Sequence, residues 1–529
     1  MAAPTKTPVH DGNRYAPPAL SGLFDLLDEH AHDRPDARAL MSRSDPIRIS
    51  YGELARLVDD VANRLGRSGL HRGDAVSIVG ANNADFVVAL LGAARAGLVV
   101  APLDPALPRP EMATRLERLG AQAILAGRPA FDAESVAPFD IPTWNLEVHG
   151  AADTTPAVTI DTTSGALRRR EPKIGLSERD ALVLFTSGTT AQAKMVPLTH
   201  KNVAASVRAI CAAYELGPAD ATVAVMPLFH GHGLIAALLA SLASGGCVLL
   251  PEQGRFSAHS FWDDMRAATA TWFTAVPTIH QILLQRSASE YPGPNAVPLR
   301  FVRSCSAPLT MATARRIERT FGAPVLSAYG MTETAHQATS QPLPLRGPVK
   351  EGSVGRATGV RIRIVDPNGR TCSAGTDGEV WVLGPTVARG YLANPAETAN
   401  CFAAGWFRTG DLGAIDHDGY LFLTGRIKNI INRGGEKISP EHVEEVLAGC
   451  RGVTEAAVFA IPDATFGERV GAAVVLSKDE PVGSEQILQE CRGKLSAFEM
   501  PKRLEIVPAL PHTAKGALDR RAVEEQYAC

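Results

Sequence analysis

The alternation of strands and helices between residues 49 and 103 constrains the fold more than any other feature. Ser50 and Glu53 have the spacing of a capping box, and apolar residues then recur at helical spacing as far as Gly66. A strand, a helix and a second strand are predicted next: Ala75–Val79, Asp85–Ala94 and Leu98–Ala101. Strand–helix–strand order with short connections predicts parallel strands whose sheet is covered by helices.

The same pattern returns twice further along the chain, which predicts a large α/β body. The predicted elements are Thr222–Val225, Gly233–Ala243, Cys247–Leu250, Arg300–Arg303, Ala312–Phe321 and Val325–Ala328. With 529 residues, the chain is too long for one compact core. We therefore expect a large N-terminal domain of parallel-rich sheets with helices.

The pattern changes after about Gly352, where short strands alternate with Asn-Gly and Asp-Gly turns. These strands predict a β-rich subdomain: Val360–Val365, Gly378–Leu383 and Tyr420–Thr424. The elements predicted beyond Gly425 form a small α+β unit: a helix from Ser439-Pro440, strands at Ala456–Ile461 and Ala472–Leu476, and a helix at Ser484–Leu495. The expected domains are 1–424 for the N-terminal domain, 425–428 for a hinge and 429–529 for a mobile C-terminal lid domain.

Composition excludes several other classes of protein. The 53 basic and 56 acidic side chains leave a net charge of −3, which gives no reason to expect nucleic acid or an anionic membrane as partner. The two most apolar stretches, Phe86–Pro102 and Gly233–Pro251, are too interrupted for a membrane span. The triplet Arg168–Arg170 is interpreted as a solvated loop.

The cysteines and the C-terminal residues give information about the subcellular compartment of the protein. The 8 cysteines contain no Cys-x-x-Cys pair, which disfavours a zinc knuckle or a disulfide framework and favours a reducing environment. The sequence ends Tyr527-Ala528-Cys529, which is not a peroxisomal tripeptide. We therefore expect a soluble cytoplasmic protein.

The strongest local signal is a segment rich in hydroxyl groups that follows an apolar strand. Strand Ala181–Phe185 leads into Thr186–Thr190, and Lys194 follows closely. Backbone N–H groups, hydroxyls and one cation suit phosphate oxygens. The segment lacks the Gly-x-x-x-x-Gly-Lys-Ser/Thr pattern of the large NTPase class. Taken alone, it could equally be a polar loop that leaves a strand.

Three further segments accompany it in order: Tyr329–Glu333, Trp406–Asp411, and Gly425–Lys428 followed by Gly434-Gly435. In this order and spacing the four segments resemble the acyl-adenylate-forming superfamily. That superfamily includes acyl-CoA synthetases, luciferases and the adenylation domains of peptide synthetases. The resemblance runs from about Leu23 to Arg521, nearly the whole chain.

The resemblance implies ATP, Mg²⁺ and coenzyme A as reactants or cofactors. The residues implied to close over the β- and γ-phosphates are Thr186, Ser187, Gly188, Thr189, Thr190 and Lys194. Tyr329 is implied to pack on the adenine, with Ala307 and Pro308 on the other side of the base. Gly330 and Met331 are implied to belong to the nucleotide site. Thr332 would bind the α-phosphate, Glu333 would hold Mg²⁺, and Asp411 and Arg426 would hold the ribose.

The implied reaction has two steps. A carboxylate attacks the α-phosphorus of ATP and gives an acyl-AMP with release of pyrophosphate; a thiol then attacks the acyl carbon and expels AMP. The resemblance places the hinge at Lys428 and implies that the loop Asn432–Ser439 swings in for the second step. Residues expected on the CoA side are Arg433, Gly434, Gly435 and Lys437. A carrier-protein thiol as acceptor stays open.

The sequence departs from the family in two places. Ala191, Ala193 and Met195 replace glycines and a proline around Lys194, which predicts a stiffer phosphate loop. Ala517 occupies the place of a lysine that bridges the carboxylate and the α-phosphate during adenylation. Three explanations stay open: an introduced substitution at residue 517, replacement of the lysine by Lys515, or a naturally slow adenylator.

Three segments line up with the family's acyl pocket: Pro227–Gly233, Arg303–Ala307 and Thr334–Gln337. Two further stretches, Gly254–Gln281 and Thr339–Pro344, look most like those of the oxalate–CoA ligases of plants and fungi. The resemblance implies that His232, Ser306 and His336 surround a small diacid, although both histidines could instead be structural. A buried second carboxylate needs such donors, whereas a fatty-acyl tunnel needs apolar walls. The alternatives are a medium-chain acyl-CoA synthetase and an adenylation-impaired protein that binds nucleotide or acyl-AMP.

Overall fold

The computed structural model describes residues 25–43, 47–128, 139–150, 154–163, 167, 175–186, 193–477, 480, 482–513 and 518–528. Outside these ranges lie Ser187, Gly188, Thr189 and Thr190, the neighbouring Ala191, the triplet Arg168–Arg170, and both Lys515 and Ala517. Within the described ranges, the helices are too short or too polar to cross a lipid bilayer.

The N-terminal body begins with a run of mixed elements that builds most of the first two sheets. Their bounds are α1 (Asp25–Asp33), β1 (Arg38–Ser42), β2 (Arg48–Ser50), α2 (Tyr51–Gly66), β3 (Ala75–Val79), α3 (Ala84–Arg95), β4 (Val99–Leu103), α4 (Arg109–Leu119), β5 (Ala123–Ala126), β6 (Thr143–His149), β7 (Ala157–Ile160), β8 (Asp180–Thr186), β9 (Lys194–Thr199) and α5 (His200–Tyr214). The predicted capping box is confirmed, since Glu53 N–H donates to Ser50 Oγ (3.3 Å) and Ser50 N–H donates to Glu53 Oε2 (2.9 Å).

The body continues through a second group of elements: β10 (Ala221–Val223), a π-helix (His232–Leu239), α6 (Ala240–Ala243), β11 (Cys247–Leu250), α7 (Phe261–Ala268), β12 (Trp272–Ala275), α8 (Pro277–Glu290), β13 (Phe301–Ser304), α9 (Met311–Phe321), β14 (Val325–Tyr329), a 3₁₀ turn (Thr332–Thr334), β15 (Thr339–Ser340) and β16 (Arg356–Ala357). The helix predicted over Gly233–Ala243 is therefore only partly α-helical. Its first half has the wider π geometry, which hydrophobic periodicity does not reveal.

The described residues of the body form three sheets. The largest has the strand order β7-β6-β5-β3-β4-β8-β9, in which β3 to β6 and β8 run parallel while β7 and β9 pair antiparallel at the edges. The second has the order β10-β11-β1-β2, and the third has the order β12-β13-β14-β15-β16. The predicted α/β body with parallel-rich sheets is confirmed.

The β-rich subdomain and the C-terminal unit follow in chain order. The subdomain elements are β17 (Arg361–Val365), β18 (Gly378–Leu383), α10 (Pro395–Cys401), β19 (Phe402–Ala403), β20 (Trp406–Ile415) and β21 (Leu421–Arg426). The C-terminal elements are a 3₁₀ turn (Ile427–Asn429), β22 (Ile431–Arg433), β23 (Glu436–Ile438), α11 (Pro440–Ala448), β24 (Val453–Asp463), β25 (Gly467–Leu476), α12 (Ser484–Cys491), β26 (Arg503–Ile506) and α13 (Arg520–Tyr527). Helix α12 ends four residues before the predicted Leu495.

These two regions have separate sheets and separate apolar cores. The subdomain sheet has the order β17-β18-β20-β19 with β21 on β20, and the C-terminal sheet has the order β23-β22-β25-β24 with β26 on β25. The buried faces of the two sheets supply different apolar clusters. The short 3₁₀ turn at Ile427–Asn429 joins the last strand of one sheet to the first strand of the next.

Candidate active site

A carboxylate on β20 is held between a tyrosine and an arginine. Asp411 pairs in register with Arg426 on β21, and Arg426 Nε donates to Asp411 Oδ1 at 2.5 Å. Tyr329, the last residue of β14, donates its hydroxyl to Asp411 Oδ2 at 2.6 Å. Burial, followed by the Asp411 charge, raises the pKa of Tyr329 well above its ordinary value. Three residues predicted for the nucleotide therefore lie in direct contact.

The turn after β14 carries the next two predicted residues, Thr332 and Glu333. Glu333 is 9% exposed, and its Oε1 accepts a hydrogen bond from Tyr391 Oη at 2.8 Å. Burial is the largest influence on this carboxyl and raises its pKa. The turn is tight: a Cβ on Gly330 would lie 2.1 Å from the carbonyl oxygen of His336, so only glycine fits there.

Glu333 fits the carboxylate of a magnesium site. Within the described ranges it forms no ion pair with a cation, and no group of three acidic, histidine or cysteine side chains could hold a metal without help. Magnesium is commonly bound by one or two carboxylates together with phosphate oxygens. The donor set here thus suits a metal that arrives with a phosphate ligand.

The end of β8 and the start of β9 carry Thr186 and Lys194, the described residues of the segment predicted to bind phosphate. Thr186 lies opposite Lys194 in the β8–β9 register. Lys194 forms an ion pair with Glu397, and its Nζ lies 4.8 Å from the centre of the Tyr391 ring. Glu397 and Tyr391 belong to none of the sequence motifs described above, and no local pattern identifies them as site residues.

The remaining predicted nucleotide residues lie nearer the surface. Ala307, Gly330 and Met331 are half-buried, and Pro308 is exposed. Ser187, Gly188, Thr189 and Thr190 lie outside the described residues, so their predicted role stays a prediction.

The acid side is built around the start of the π-helix and two strand ends. We call His232, Thr274, Arg303, Ser306 and His336 the polar cluster. His232 opens the π-helix; its Nε2 lies 2.6 Å from Thr274 Oγ1, and its Nδ1 lies 3.0 Å from Ser306 Oγ. The His232 and His336 rings stack with centres 4.9 Å apart. The three residues predicted for the acid are therefore brought together.

Arg303 is a fully buried cation at the centre of this region. Its Nε donates to Tyr214 Oη (3.0 Å), its Nη2 donates to Gln337 Oε1 (2.9 Å), and its Nη1 lies near Thr274 Oγ1 (3.1 Å) and His336 Nε2 (3.4 Å). Within the described residues it has no carboxylate partner. Arg303 opens one of the segments that line up with the acid pocket, but no motif gave it a role, although an arginine inside the otherwise uncharged strand β13 was an available signal.

Both histidines are held neutral. Burial is the main cause that lowers the pKa of His232 and of His336 well below the ordinary 6.5, and the Arg303 charge lowers both further. A guanidinium can only donate, so His336 Nε2 accepts from Arg303 and the ring proton lies on Nδ1.

The hydrogen bonds of the polar cluster then run in one direction. Thr274 Oγ1 accepts from Arg303 Nη1, and His232 Nε2 is the acceptor within reach of the Thr274 hydroxyl proton among the described residues, so we assign that proton to the bond with His232. His232 therefore carries its proton on Nδ1 and donates to Ser306 Oγ. The hydroxyl proton of Ser306 is left to donate outward. The polar cluster presents donors, which is the property that binds an anion.

Two residues of the polar cluster have strained backbones. Ser306 has φ 73° and His336 has φ 75°, and the residue before His336, Ala335, has φ 49°. Left-handed backbone at non-glycine residues costs free energy and is concentrated at functional sites. The strain and the π-helix at His232 both fall on the residues predicted for the acid.

The residues predicted for the CoA side form the β22–β23 hairpin. Gly434 and Gly435 make its two-residue turn with φ 60° and 97°, which suits a type I′ turn. Arg433 is 8% exposed and donates to the carbonyl oxygens of Ala497 and Phe498, so its guanidinium binds its own domain. Lys437 is exposed, and Lys428 lies in the turn before β22.

Comparison with known proteins agrees with this arrangement. A family model described as AMP-binding enzyme matches residues 27–392, and one described as AMP-binding enzyme C-terminal domain matches residues 442–517. The chain therefore carries both parts of a two-domain nucleotide-binding enzyme. It belongs to the AMP-binding enzyme family, and the resemblance found in the sequence is confirmed.

Individual relatives cover nearly the whole chain. The oxalate–CoA ligase of Arabidopsis thaliana is 42% identical over 510 residues, covering 96% of this chain and 98% of that protein. The oxalate–CoA ligase of Saccharomyces cerevisiae is 37% identical over 482 residues, covering 86% and 87%. Among solved structures, ATP-bound MatB from Rhodopseudomonas palustris has a TM-score of 0.82 at 31% identity, covering 96% and 99%.

Proposed function

We propose that the protein is an ATP-dependent acid–CoA ligase that acts on oxalate. It joins a carboxylate to AMP, releases pyrophosphate, and then transfers the acyl group to the thiol of coenzyme A. Its relatives in Arabidopsis thaliana and Saccharomyces cerevisiae are oxalate–CoA ligases, and a structure of its neighbour MatB holds ATP. ATP, Mg²⁺ and coenzyme A are the corresponding reactants and cofactor.

The observation that carries the choice of acid is the buried guanidinium of Arg303, whose partners among the described residues are all neutral. A buried cation without a counter-charge is costly, and a bound anion removes that cost. Oxalate has one carboxylate for adenylation and a second that keeps its negative charge. The second carboxylate would accept hydrogen bonds from the polar cluster, whereas the methylenes of a fatty acid would gain nothing there.

The nucleotide side would hold ATP so that the first carboxylate can reach the α-phosphorus. Asp411 and Arg426 would hold the ribose, Thr332 would donate to an α-phosphate oxygen, and Lys194 would neutralise the outer phosphates. Glu333 would bind Mg²⁺, which supplies charge neutralisation on the phosphate oxygens. Phosphoryl transfer depends mainly on such positioning and neutralisation.

The second step requires a different face of the C-terminal domain. In this proposal the domain beyond the hinge at residues 425–428 rotates about Lys428 and brings the β22–β23 hairpin to the acyl-AMP. Lys437 is the exposed cation of that hairpin. We place the enzyme in the cytoplasm because its thiols are free in the described residues.

Ala517 bears on the first step alone. Removal of one preorganised donor from a transition state costs about 10²–10³ in rate, so we expect slow acyl-AMP formation and near-normal thioester formation from supplied acyl-AMP. Ala517→Lys should raise the adenylation rate by a similar factor of about 10²–10³. Single-turnover assays of each half-reaction test this, and equal effects on both steps would contradict it.

The acid is tested in the Ala517→Lys background by pyrophosphate release with oxalate and with octanoate. Oxalate should be strongly preferred, and His336→Ala should lose that preference. A preference for octanoate would support the medium-chain alternative. Calorimetric ATP binding without consumption of any acid would support the non-catalytic alternative.

A further inference from the structure

Helix α10 and the residues before it pack over Lys194, the lysine of the segment predicted to bind phosphate. Glu397 lies in the first turn of α10 and forms an ion pair with Lys194. The side chains are 16% exposed for Lys194 and 32% exposed for Glu397. The pair is therefore partly shielded from water, which makes it stronger than an ion pair in full solvent.

The residues that precede α10 are hydrogen-bonded to β9, the strand that carries Lys194, and to the backbone of Glu333. Leu392 N–H donates to the carbonyl oxygen of Met195 at 2.9 Å, and Ala388 N–H donates to the carbonyl oxygen of Glu333 at 2.8 Å. Tyr391 then reaches both charges, with its hydroxyl on Glu333 and its ring beside Lys194. One short segment thus contacts the cation and the carboxylate that the proposed function assigns to the phosphates and Mg²⁺.

The start of α10 holds the carboxylate in place. Asn394 caps the helix, and the backbone N–H of Glu397 donates to Asn394 Oδ1 at 3.1 Å. The hydrogen bond from Lys194 lowers the pKa of Glu397, so Glu397 is ionised at neutral pH. A fixed carboxylate offers the ammonium group of Lys194 the same kind of partner that a phosphate oxygen offers.

We propose that Glu397 is a positioning residue that competes with the polyphosphate of ATP for Lys194. It holds the lysine when the site is empty, releases it when phosphate oxygens arrive, and takes it back as pyrophosphate leaves. The inference rests on the proposed function, because that function gives Lys194 a phosphate partner. Without Glu397, Lys194 would lose its ion-pair partner among the described residues, so phosphate binding would become more favourable.

The test is a calorimetric titration of the full chain with MgATP in the absence of acid. Glu397→Gln keeps the size of the side chain and the backbone N–H that bonds Asn394, and it removes the charge. We expect this variant to bind MgATP about two- to fivefold more tightly, the factor given by the loss of one partly exposed ion pair. An affinity that is unchanged or weaker would overturn the inference.

Two controls separate competition from other effects. Glu351→Gln removes the same charge from an exposed pair with Arg315 and should leave the affinity unchanged. Lys194→Met should weaken MgATP binding, and Glu397→Gln added to it should then have no further effect. A gain in affinity that persists without Lys194 would refute the competition. Failure of the wild-type chain to bind MgATP would refute the proposed function itself.

Discussion

The predicted nucleotide side and the predicted acid side of the site differ in whether their cations have carboxylate partners. On the nucleotide side, Arg426 is paired with Asp411 and Lys194 is paired with Glu397. On the acid side, the described partners of Arg303 are all neutral, and both neighbouring histidines are neutral. The nucleotide side therefore carries its own counter-charges, whereas the acid side leaves one to be supplied by what it binds.

The difference follows from depth. The Arg426 side chain is 49% exposed, so water helps to solvate it when its partner changes. Arg303 is fully buried, so its charge must be balanced by fixed dipoles or by a bound anion. A partly exposed cation can exchange one anionic partner for another, whereas a fully buried cation favours the binding of an anion that fits beside it.

The largest effect that can break this comparison is expected from Arg303→Met. Loss of a buried charge contact costs about 3–5 kcal/mol, so kcat/KM for oxalate should fall at least about 100-fold. MgATP affinity should change little, because the nucleotide side has separate charges. Asp411→Asn is the converse control, because its main effect should be weaker MgATP binding. Equal loss of MgATP binding in Arg303→Met would show that the two sides are not independent.

A smaller effect is expected from Thr274→Val, which keeps the shape of the side chain and removes its hydroxyl. Arg303 and His232 would each lose one hydrogen-bond partner, and Ser306 would no longer be aligned as a donor. The KM for oxalate should rise about tenfold, which is about 1.4 kcal/mol.

The matched control for that substitution is Thr222→Val. Thr222 is equally buried, but its hydroxyl has no hydrogen-bond partner within the part of the chain that the structure describes, so its loss should leave KM unchanged and stability unchanged or improved. Similar KM values for the two variants would contradict the directional hydrogen bonding of the polar cluster.

The smallest effect concerns pH. The lowered pKa of His336 means that the unfolded chain binds more protons below about pH 6.5, so the free energy of unfolding should fall as pH falls through that range. His336→Asn, which tolerates a positive φ, removes this contribution. Between pH 7 and pH 5.5, the wild type should lose about 1 kcal/mol more than the variant.

Urea unfolding at the two pH values measures this difference. An identical pH dependence in wild type and His336→Asn would mean that His336 is protonated in the folded protein.

Sequence patterns predicted the secondary structure best where one period dominates. Strand β3 has the predicted bounds, and α2 has its predicted capping box. The segment at His232 was predicted as a helix without its π geometry, because apolar residues continue through it and hide the change of period. Of the predicted site, Tyr329, Asp411 and Arg426 are in contact, and His232, Ser306 and His336 are in contact.

The sequence by itself determined the α/β body and the family, because these depend on local periodicity and on short motifs. Only the tertiary structure decided which charges find partners. Arg303 and Tyr214 are 89 positions apart, and Lys194 and Glu397 are 203 positions apart. Contacts over such separations depend on how sheets and helices pack. Packing leaves Arg303 buried without a counter-ion among the residues that the structure describes, and it gives Lys194 a carboxylate partner.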